Sequence, residues 1–177
     1  YVLQDGSSSY IEPMTVSFRD RIKLNTPALE VLRTDELIKV LTPGRVEEFD
    51  QLIMACHSDQ ALKLLHQPTV NEERILGAMR YQDNEVILHN DESLMPRKPL
   101  SWGSWNFLVG KAEVNEPPVV TYCMNILQGL KSSDPLLVSL NSRDKLDPKK
   151  VLQEFSYAHP VFSREFMAAQ KRRDEIC

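Results

Sequence analysis

The sequence predicts an α+β fold, in which mostly antiparallel strands are flanked by short helices. Short apolar or alternating runs typical of strands occur on both sides of the middle of the chain, and two helical stretches lie between them. The chain has 177 residues, of which 42% are hydrophobic and 26% charged. It is therefore long enough and apolar enough to bury an ordinary core.

The first part of the chain is predicted to hold a short helix and several strands. We expect a helix near 13–20 and strands over Arg21–Asn25, Leu29–Arg33, Leu37–Thr42 and Phe49–Cys56. The last strand contains the apolar run Leu52-Ile53-Met54, which is typical of a buried strand. Turn residues separate the strands, Pro43-Gly44 among them. A helix follows at about 58–65, with Ser58 as its predicted N-cap.

The second part begins with a helix and then changes to β-structure. Thr69 and Glu72 have capping-box spacing, which predicts a helix from there to about Met79. Five strands are expected after it: Tyr81–His89, Ser104–Val109, Val119–Leu127, Leu136–Leu140 and Val151–Tyr157. Ser163 is expected to cap a final helix. The change near residue 58, from strands before one helix to a dominant sheet, predicts a domain boundary there.

One predicted strand carries an informative face pattern. In Val119–Leu127, Thr121, Cys123 and Asn125 share a side that is small and polar. This side could line a cavity, or it could be a sheet face covered by a helix. Trp102 and Trp105 lie near a chain reversal at Gly103, where aromatic side chains are more often core than ligand wall.

Several combinations of reactive residues do not predict a catalytic or metal site. His57, Ser58 and Asp59 are adjacent, so their side chains point in different directions and cannot form a hydrolase triad. His89 and Asp91 could share a strand face, but a third metal ligand is not evident. The six glycines form no glycine-rich phosphate loop. We therefore predict no metal site.

Composition limits the classes of protein to which the chain can belong. The net charge is -4 without a large basic block, which argues against nucleic-acid binding. No apolar run approaches the roughly 20 residues of a membrane-spanning helix, and no signal peptide is visible. The three cysteines form no CxxC pair, which favours a reducing compartment and predicts a cytoplasmic protein. The chain begins at Tyr1 and stops after a helix, so we expect an excised piece.

Longer runs of the sequence resemble a known family. These runs are GSSSYIEP at 6–13, RIKLNTP at 21–27, and FDQLIMACHSDQALKLL at 49–65. They look like the middle of a flavin-containing amine oxidase superfamily protein. The later runs YQDN at 81–84, LHND at 88–91, SWN at 104–106, TYCMNILQ at 121–128 and HPVF at 159–162 are similar to a bacterial branch of predicted NAD/FAD-binding, amine-oxidase-like proteins.

This resemblance implies a layout and a cofactor. Residues 1–57 would belong to an FAD-binding domain, to which they contribute a β-hairpin and a strand. Residues 58–177 would form the substrate domain and a following helix. Ala28 matches a backbone contact to the adenine end of FAD, while Ala55, Cys56 and His57 match a loop that passes close to the adenosine. The family's two glycine-rich segments would lie outside these residues.

The resemblance also implies a function. The chain would be the central fragment of an FAD-dependent oxidoreductase that transfers a hydride from a substrate carbon to the flavin, and the fragment alone would be inactive. Asn84 takes the approximate place of the family's flavin-proximal lysine, so we expect it to position the reactants. Trp105 and Tyr122 are expected to line the cavity of a small-molecule or lipid-like substrate. The alternative is a non-enzymatic binding module for a lipid or protein partner.

Overall fold

The computed structural model describes residues 3, 6–109 and 119–176. The chain forms two compact units. Unit 1 consists of Tyr1–Arg19 and Asp83–Ala158, and unit 2 consists of Asp20–Gln82 and His159–Cys177. The described residues contain five α-helices and two sheets, which confirms the α+β class. The domain boundary predicted at residue 57/58 separates an FAD-binding domain from a substrate domain. It is defined by function and stays a prediction.

The elements are numbered in chain order. The helices are α1 (Ile11–Thr15), α2 (Ser58–Leu64), α3 (Val70–Leu76), α4 (Met124–Gln128) and α5 (Arg164–Gln170). The strands are β1 (Glu30–Arg33), β2 (Ile38–Thr42), β3 (Arg45–Phe49), β4 (Tyr81–His89), β5 (Trp105–Leu108), β6 (Val119–Cys123), β7 (Leu137–Leu140) and β8 (Val151–Pro160). Short 3-10 turns connect several of them.

The sheet of unit 2 is an antiparallel meander in the order β1-β2-β3. The predicted hairpin is confirmed, but the strand predicted over Phe49–Cys56 is wrong. The true third strand, β3, follows β2 through a tight turn in which Gly44 has a φ of 81°. This turn fixes the register between β2 and β3, because it places Thr42 directly opposite Arg45. The apolar run at 52–54 lies beyond the last paired residue.

The strand predicted over Arg21–Asn25 is also wrong. A 3-10 turn occupies Arg19–Arg21, and Asn25 has a left-handed φ of 53°, which interrupts extended structure. The helix predicted near 13–20 is displaced to α1, and a 3-10 turn over Ser7–Tyr10 leads into it.

The helices of unit 2 begin at capping residues. Thr69 and Glu72 form the predicted capping box at the start of α3, and the Ser163 hydroxyl accepts a hydrogen bond from the Phe166 N–H at 3.1 Å at the start of α5. Ser58, however, is the first residue of α2 and not its N-cap. His57 occupies the N-cap position, and its N–H donates to Gln60 Oε1 at 3.3 Å.

The sheet of unit 1 has the order β5-β6-β7-β4-β8. Its β6 strand ends at Cys123, so the strand predicted over Val119–Leu127 is too long. The Met124 N–H donates to the Leu136 carbonyl, and the Asn125 side chain accepts from the Leu136 N–H at 2.7 Å. These two bonds tie residues 124 and 125 to Leu136, the residue just before β7. Residues 124–128 form α4 instead of continuing the strand, and α4 ends at Gly129, which has a left-handed conformation.

Candidate functional site

Unit 2 contains a largely apolar cavity of about 690 Å³, a size typical of ligand pockets. Its walls come from β1, β2, α2, α3 and the segment between β3 and α2. The lining residues are Val31, Arg33, Ile38, Leu52, Ile53, Met54, Cys56, Ser58, Ala61, Leu65, Leu76, Met79, Tyr81, Glu72 and Ile176. Ile53 is 91% exposed. The apolar run that the sequence placed inside a strand therefore forms part of an open cavity wall.

The turn that leads into α2 is held against Tyr81. The rings of His57 and Tyr81 stack with centroids 4.3 Å apart, and the Ser58 N–H donates to the Tyr81 hydroxyl at 3.2 Å. The Ser58 hydroxyl lies 3.5 Å from the Met79 carbonyl. Tyr81 thus satisfies one of the N–H groups that a helix start leaves without a partner. This contact fixes the backbone immediately after Cys56.

A charged pair closes another wall of the cavity. The Arg33 guanidinium forms two bonds to the buried Glu72 carboxylate and a third to the Gln67 carbonyl at 3.0 Å. The bond from Arg33 lowers the pKa of Glu72 against the opposing effect of burial. Both side chains are therefore charged and paired at neutral pH, and the rest of the cavity lining is mostly apolar.

Of the four residues predicted to contact the cofactor, one lines the cavity and three do not. Cys56 lines the cavity. Exposed Ala55 and half-buried His57 flank it in sequence, and His57 turns its ring to Tyr81. Ala28 is exposed just before β1 and lies outside the cavity lining. Their predicted contacts with FAD remain predictions.

The other three predicted site residues belong to unit 1 and share one face of its sheet. Trp105 lies opposite Tyr122, which lies opposite Val138, which in turn lies opposite Leu88. Alternation along β4 places Asn84 on the same face as Leu88, about 13 Å further along the strand. Trp105 and Tyr122 contact edge to face, with centroids 5.5 Å apart. The three side chains are thus on one surface, but Asn84 is remote from the two aromatic rings.

From β5 to β4, the paired residues on this face are apolar. A second row of paired residues runs across it from β5 to β4: Phe107, Val120, Leu140 and Val86. Trp105 and Phe107 are 62% and 61% exposed at its edge. The two rows carry no charged side chain, so this surface suits apolar rather than ionic ligand groups.

Asn84 is held by Asn141, which follows β7. The Asn141 Nδ2 donates to Asn84 Oδ1 at 3.0 Å, and the Asn141 Oδ1 accepts from the Glu85 N–H at 3.0 Å. Asn84 is half-buried. Asn141 is not among the residues predicted from the sequence, although an asparagine that follows a strand often adopts a left-handed backbone conformation.

The opposite face of the sheet is covered. Thr121 and Cys123 are both 1% exposed, so the small, polar side of β6 belongs to the core and not to a cavity. Leu94, Leu146 and Met95 pack over it from the loops. The Thr121 hydroxyl lies 2.6 Å from that of Ser139, which supplies the hydrogen bond that a buried hydroxyl needs.

His89 and Asp91 have structural partners. Burial lowers the pKa of His89, which is therefore neutral at pH 7. Burial alone raises the pKa of Asp91, but bonds from the Asp147 and Ser93 N–H groups and from Lys150 outweigh it and lower that pKa to about 2. Within the described residues, no cluster of three or more metal-ligating side chains occurs. The same residues contain no helix of the length and apolarity that crossing a bilayer requires.

Comparison with known proteins finds similarity at the level of structure. No family model matches the sequence, and no curated protein does. Among solved structures, the chain is similar to a CLA-producing fatty acid isomerase from P. acnes, with a TM-score of 0.61 and 12% identity over 97% of this chain. It is also similar to a protein from Exiguobacterium sp. 255-15 named as a protoporphyrinogen oxidase, with a TM-score of 0.59 and 15% identity over 98% of this chain.

These two similarities concern the fold, because both identities are low. The chain spans 44% of the length of each of these proteins. It thus shares the fold of less than half of two larger proteins that carry enzyme names.

Proposed function

We propose that this chain is the central part of an FAD-dependent, amine-oxidase-like oxidoreductase that transfers a hydride from a substrate carbon to the flavin. The fold shared with part of two larger proteins that carry enzyme names is the observation that carries the proposal. The motif runs, GSSSYIEP at 6–13 and FDQLIMACHSDQALKLL at 49–65 among them, support it independently of the structure. Residues 1–57 would belong to the FAD-binding domain and residues 58–177 to the substrate domain of a cytoplasmic protein.

The residues of unit 2 fit one end of such a cofactor. Ala55 and Cys56 have small side chains and exposed positions, so a ring system can approach their backbone closely. The cavity beside Cys56 is largely apolar, which suits a stacked heterocycle. A pyrophosphate needs backbone N–H groups at a glycine-rich turn, and no such sequence exists in this chain. We therefore propose that Ala28, Ala55, Cys56 and His57 contact the adenosine end.

The bound flavin would supply the hydride acceptor. The protein would contribute orientation and exclusion of water, since hydride transfer depends on alignment more than on proton transfer. We assign the orienting role to Asn84, whose amide is held by Asn141. Trp105 and Tyr122 would form an apolar wall for the substrate.

The absence of charge on that wall favours a lipid-like substrate over a charged amine. An ammonium group removed from water needs a carboxylate partner, and neither row of the face offers one. One structural neighbour is named as an enzyme of fatty acids, which agrees with this choice. The substrate class remains part of the proposal.

Flavin content of the complete protein tests this function. We expect a protein with both glycine-rich segments to bind FAD stoichiometrically in equilibrium dialysis, and residues 1–177 alone to bind it weakly. Bleaching of the bound flavin by a fatty acid or phospholipid under anaerobic conditions would support the oxidoreductase. A complete protein that binds no flavin, yet binds lipid vesicles or a protein partner, would replace the enzyme with the non-enzymatic binding module.

A further inference from the structure

We infer that Tyr81 is a ligand-binding residue of the cavity in unit 2, and that its hydroxyl donates a hydrogen bond to a ring nitrogen of the adenine of bound FAD. This inference rests on the proposed function, in which the adenosine end of the cofactor lies beside Cys56. It adds a specificity-determining contact to that site and states which side of the contact donates.

Two contacts define the position of the Tyr81 phenol group. Its ring stacks on the ring of His57, with centroids 4.3 Å apart and an angle of 12° between the planes. Its hydroxyl oxygen lies 3.2 Å from the Ser58 nitrogen. The stacking limits rotation of the ring, and the hydrogen bond anchors its far end. The hydroxyl is therefore held at the part of the cavity wall to which both Tyr81 and Ser58 belong.

The bond to Ser58 also determines the role that is left to the Tyr81 hydroxyl. A backbone N–H can only donate, so the Tyr81 oxygen is the acceptor in this bond. A phenol hydroxyl also has one proton to donate. Among the described residues, no acceptor lies within hydrogen-bond distance for this proton. An acceptor on a ligand in the cavity is therefore the partner that this hydroxyl lacks.

The rest of the lining indicates which part of the cofactor carries that acceptor. Arg33 and Glu72 bond each other, so their charges are already paired, and the remaining lining is mostly apolar. A ribose or a phosphate needs several polar partners when it leaves water. A flat heterocycle instead has apolar faces and accepts hydrogen bonds in its ring plane. Adenine combines these features through its ring nitrogens N1, N3 and N7.

The dissociation constant of FAD from the complete protein tests this assignment. Tyr81→Phe keeps a ring to stack on His57 but removes the hydroxyl donor. We expect it to weaken FAD binding about three- to tenfold, as the loss of one neutral hydrogen bond does. Titration of the apoprotein with FAD, followed by flavin fluorescence, gives the constant. Tyr10→Phe, the same chemical change at an exposed residue outside the cavity lining, should leave it unchanged.

Analogues of FAD separate a direct contact from an effect on the position of the loop, because Tyr81→Phe also deprives the Ser58 N–H of its acceptor. Replacement of N1, N3 or N7 of adenine by C–H removes one acceptor at a time. One of these three deaza analogues should bind the wild type about three- to tenfold more weakly than FAD does. Tyr81→Phe should then add no further loss for that analogue, since the contact is already absent.

Two results would overturn the inference and leave the proposed function intact. One is a loss on Tyr81→Phe that is equal for FAD and for all three analogues, which would make Tyr81 a structural residue. The other is equal binding of FAD and the three analogues by the wild type, a result that does not depend on whether a variant folds. A complete protein that binds no FAD would instead refute the proposed function. Thermal unfolding shows whether Tyr81→Phe retains the fold.

Discussion

The Nε2 atom of His89 lies 2.8 Å from the Oγ atom of Ser139, and both residues are fully buried. The Nδ1 atom of His89 accepts the Asp91 N–H at 3.1 Å, so neutral His89 carries its proton on Nε2 and donates it to Ser139. Ser139 in turn contacts Thr121. Three neighbouring strands of the unit 1 sheet, β4, β7 and β6, are thus joined by side chains inside the core.

Ser139→Ala should destabilise the protein by about 1–3 kcal/mol, because the substitution leaves the buried His89 donor without its partner. Urea denaturation monitored by circular dichroism measures this. Ser156→Ala, at an exposed position on β8, is the matched control and should cost less than about 0.5 kcal/mol. Equal stability of the two variants would show that the buried bond contributes nothing.

The stability of the protein should fall as the pH drops below about 6.5. Burial lowers the pKa of His89 from its ordinary value of 6.5, so the unfolded chain binds a proton in this range that the folded chain does not bind. His89→Gln, which can still donate to Ser139, should flatten this part of the stability curve. Exposed His159→Gln should retain it, and an unchanged slope in His89→Gln would contradict the assignment.

Asp91→Asn should cost about 2 kcal/mol at pH 7. The carboxylate accepts bonds from the Asp147 and Ser93 N–H groups and from Lys150, and its pKa falls from 3.8 to about 2. A lowered pKa stabilises the folded state above the unfolded pKa, so the difference from the wild type should shrink as the pH falls from about 4 towards 2. Exposed Asp144→Asn is the control. A constant difference across this range would argue against a charge-dependent role.

Ala55→Leu in the complete protein should lower FAD occupancy without lowering the melting temperature. Ala55 is exposed, so the larger side chain meets solvent and does not overpack a core. If its backbone flanks the adenosine, the leucine obstructs the approach of the ring. Flavin absorbance per protein gives the occupancy, and exposed Ala168→Leu on α5 should retain full occupancy. Normal flavin content in Ala55→Leu would exclude the predicted contact.

Elements specified by neighbouring residues could be predicted from the sequence. The capping box of Thr69 and Glu72 starts α3 as expected, and β4 spans Tyr81–His89 as predicted. In both cases the decisive interactions are local, either a side chain bonding the backbone three residues away or a run of strand-forming residues. The α+β class follows from the same local patterns.

Strand pairing and the site depended on tertiary structure. The apolar run at 52–54 has the composition of a strand, but a strand also needs a partner, and β2 pairs with β3 instead. Residues 124–128 continue the pattern of β6, yet bonds to Leu136 turn them into a helix. The bond between Asn141 and Asn84 exists only because β4 and β7 are neighbours in the sheet. The sequence by itself determined the local propensities, while contacts between distant residues decided which of those segments paired and which side chains met.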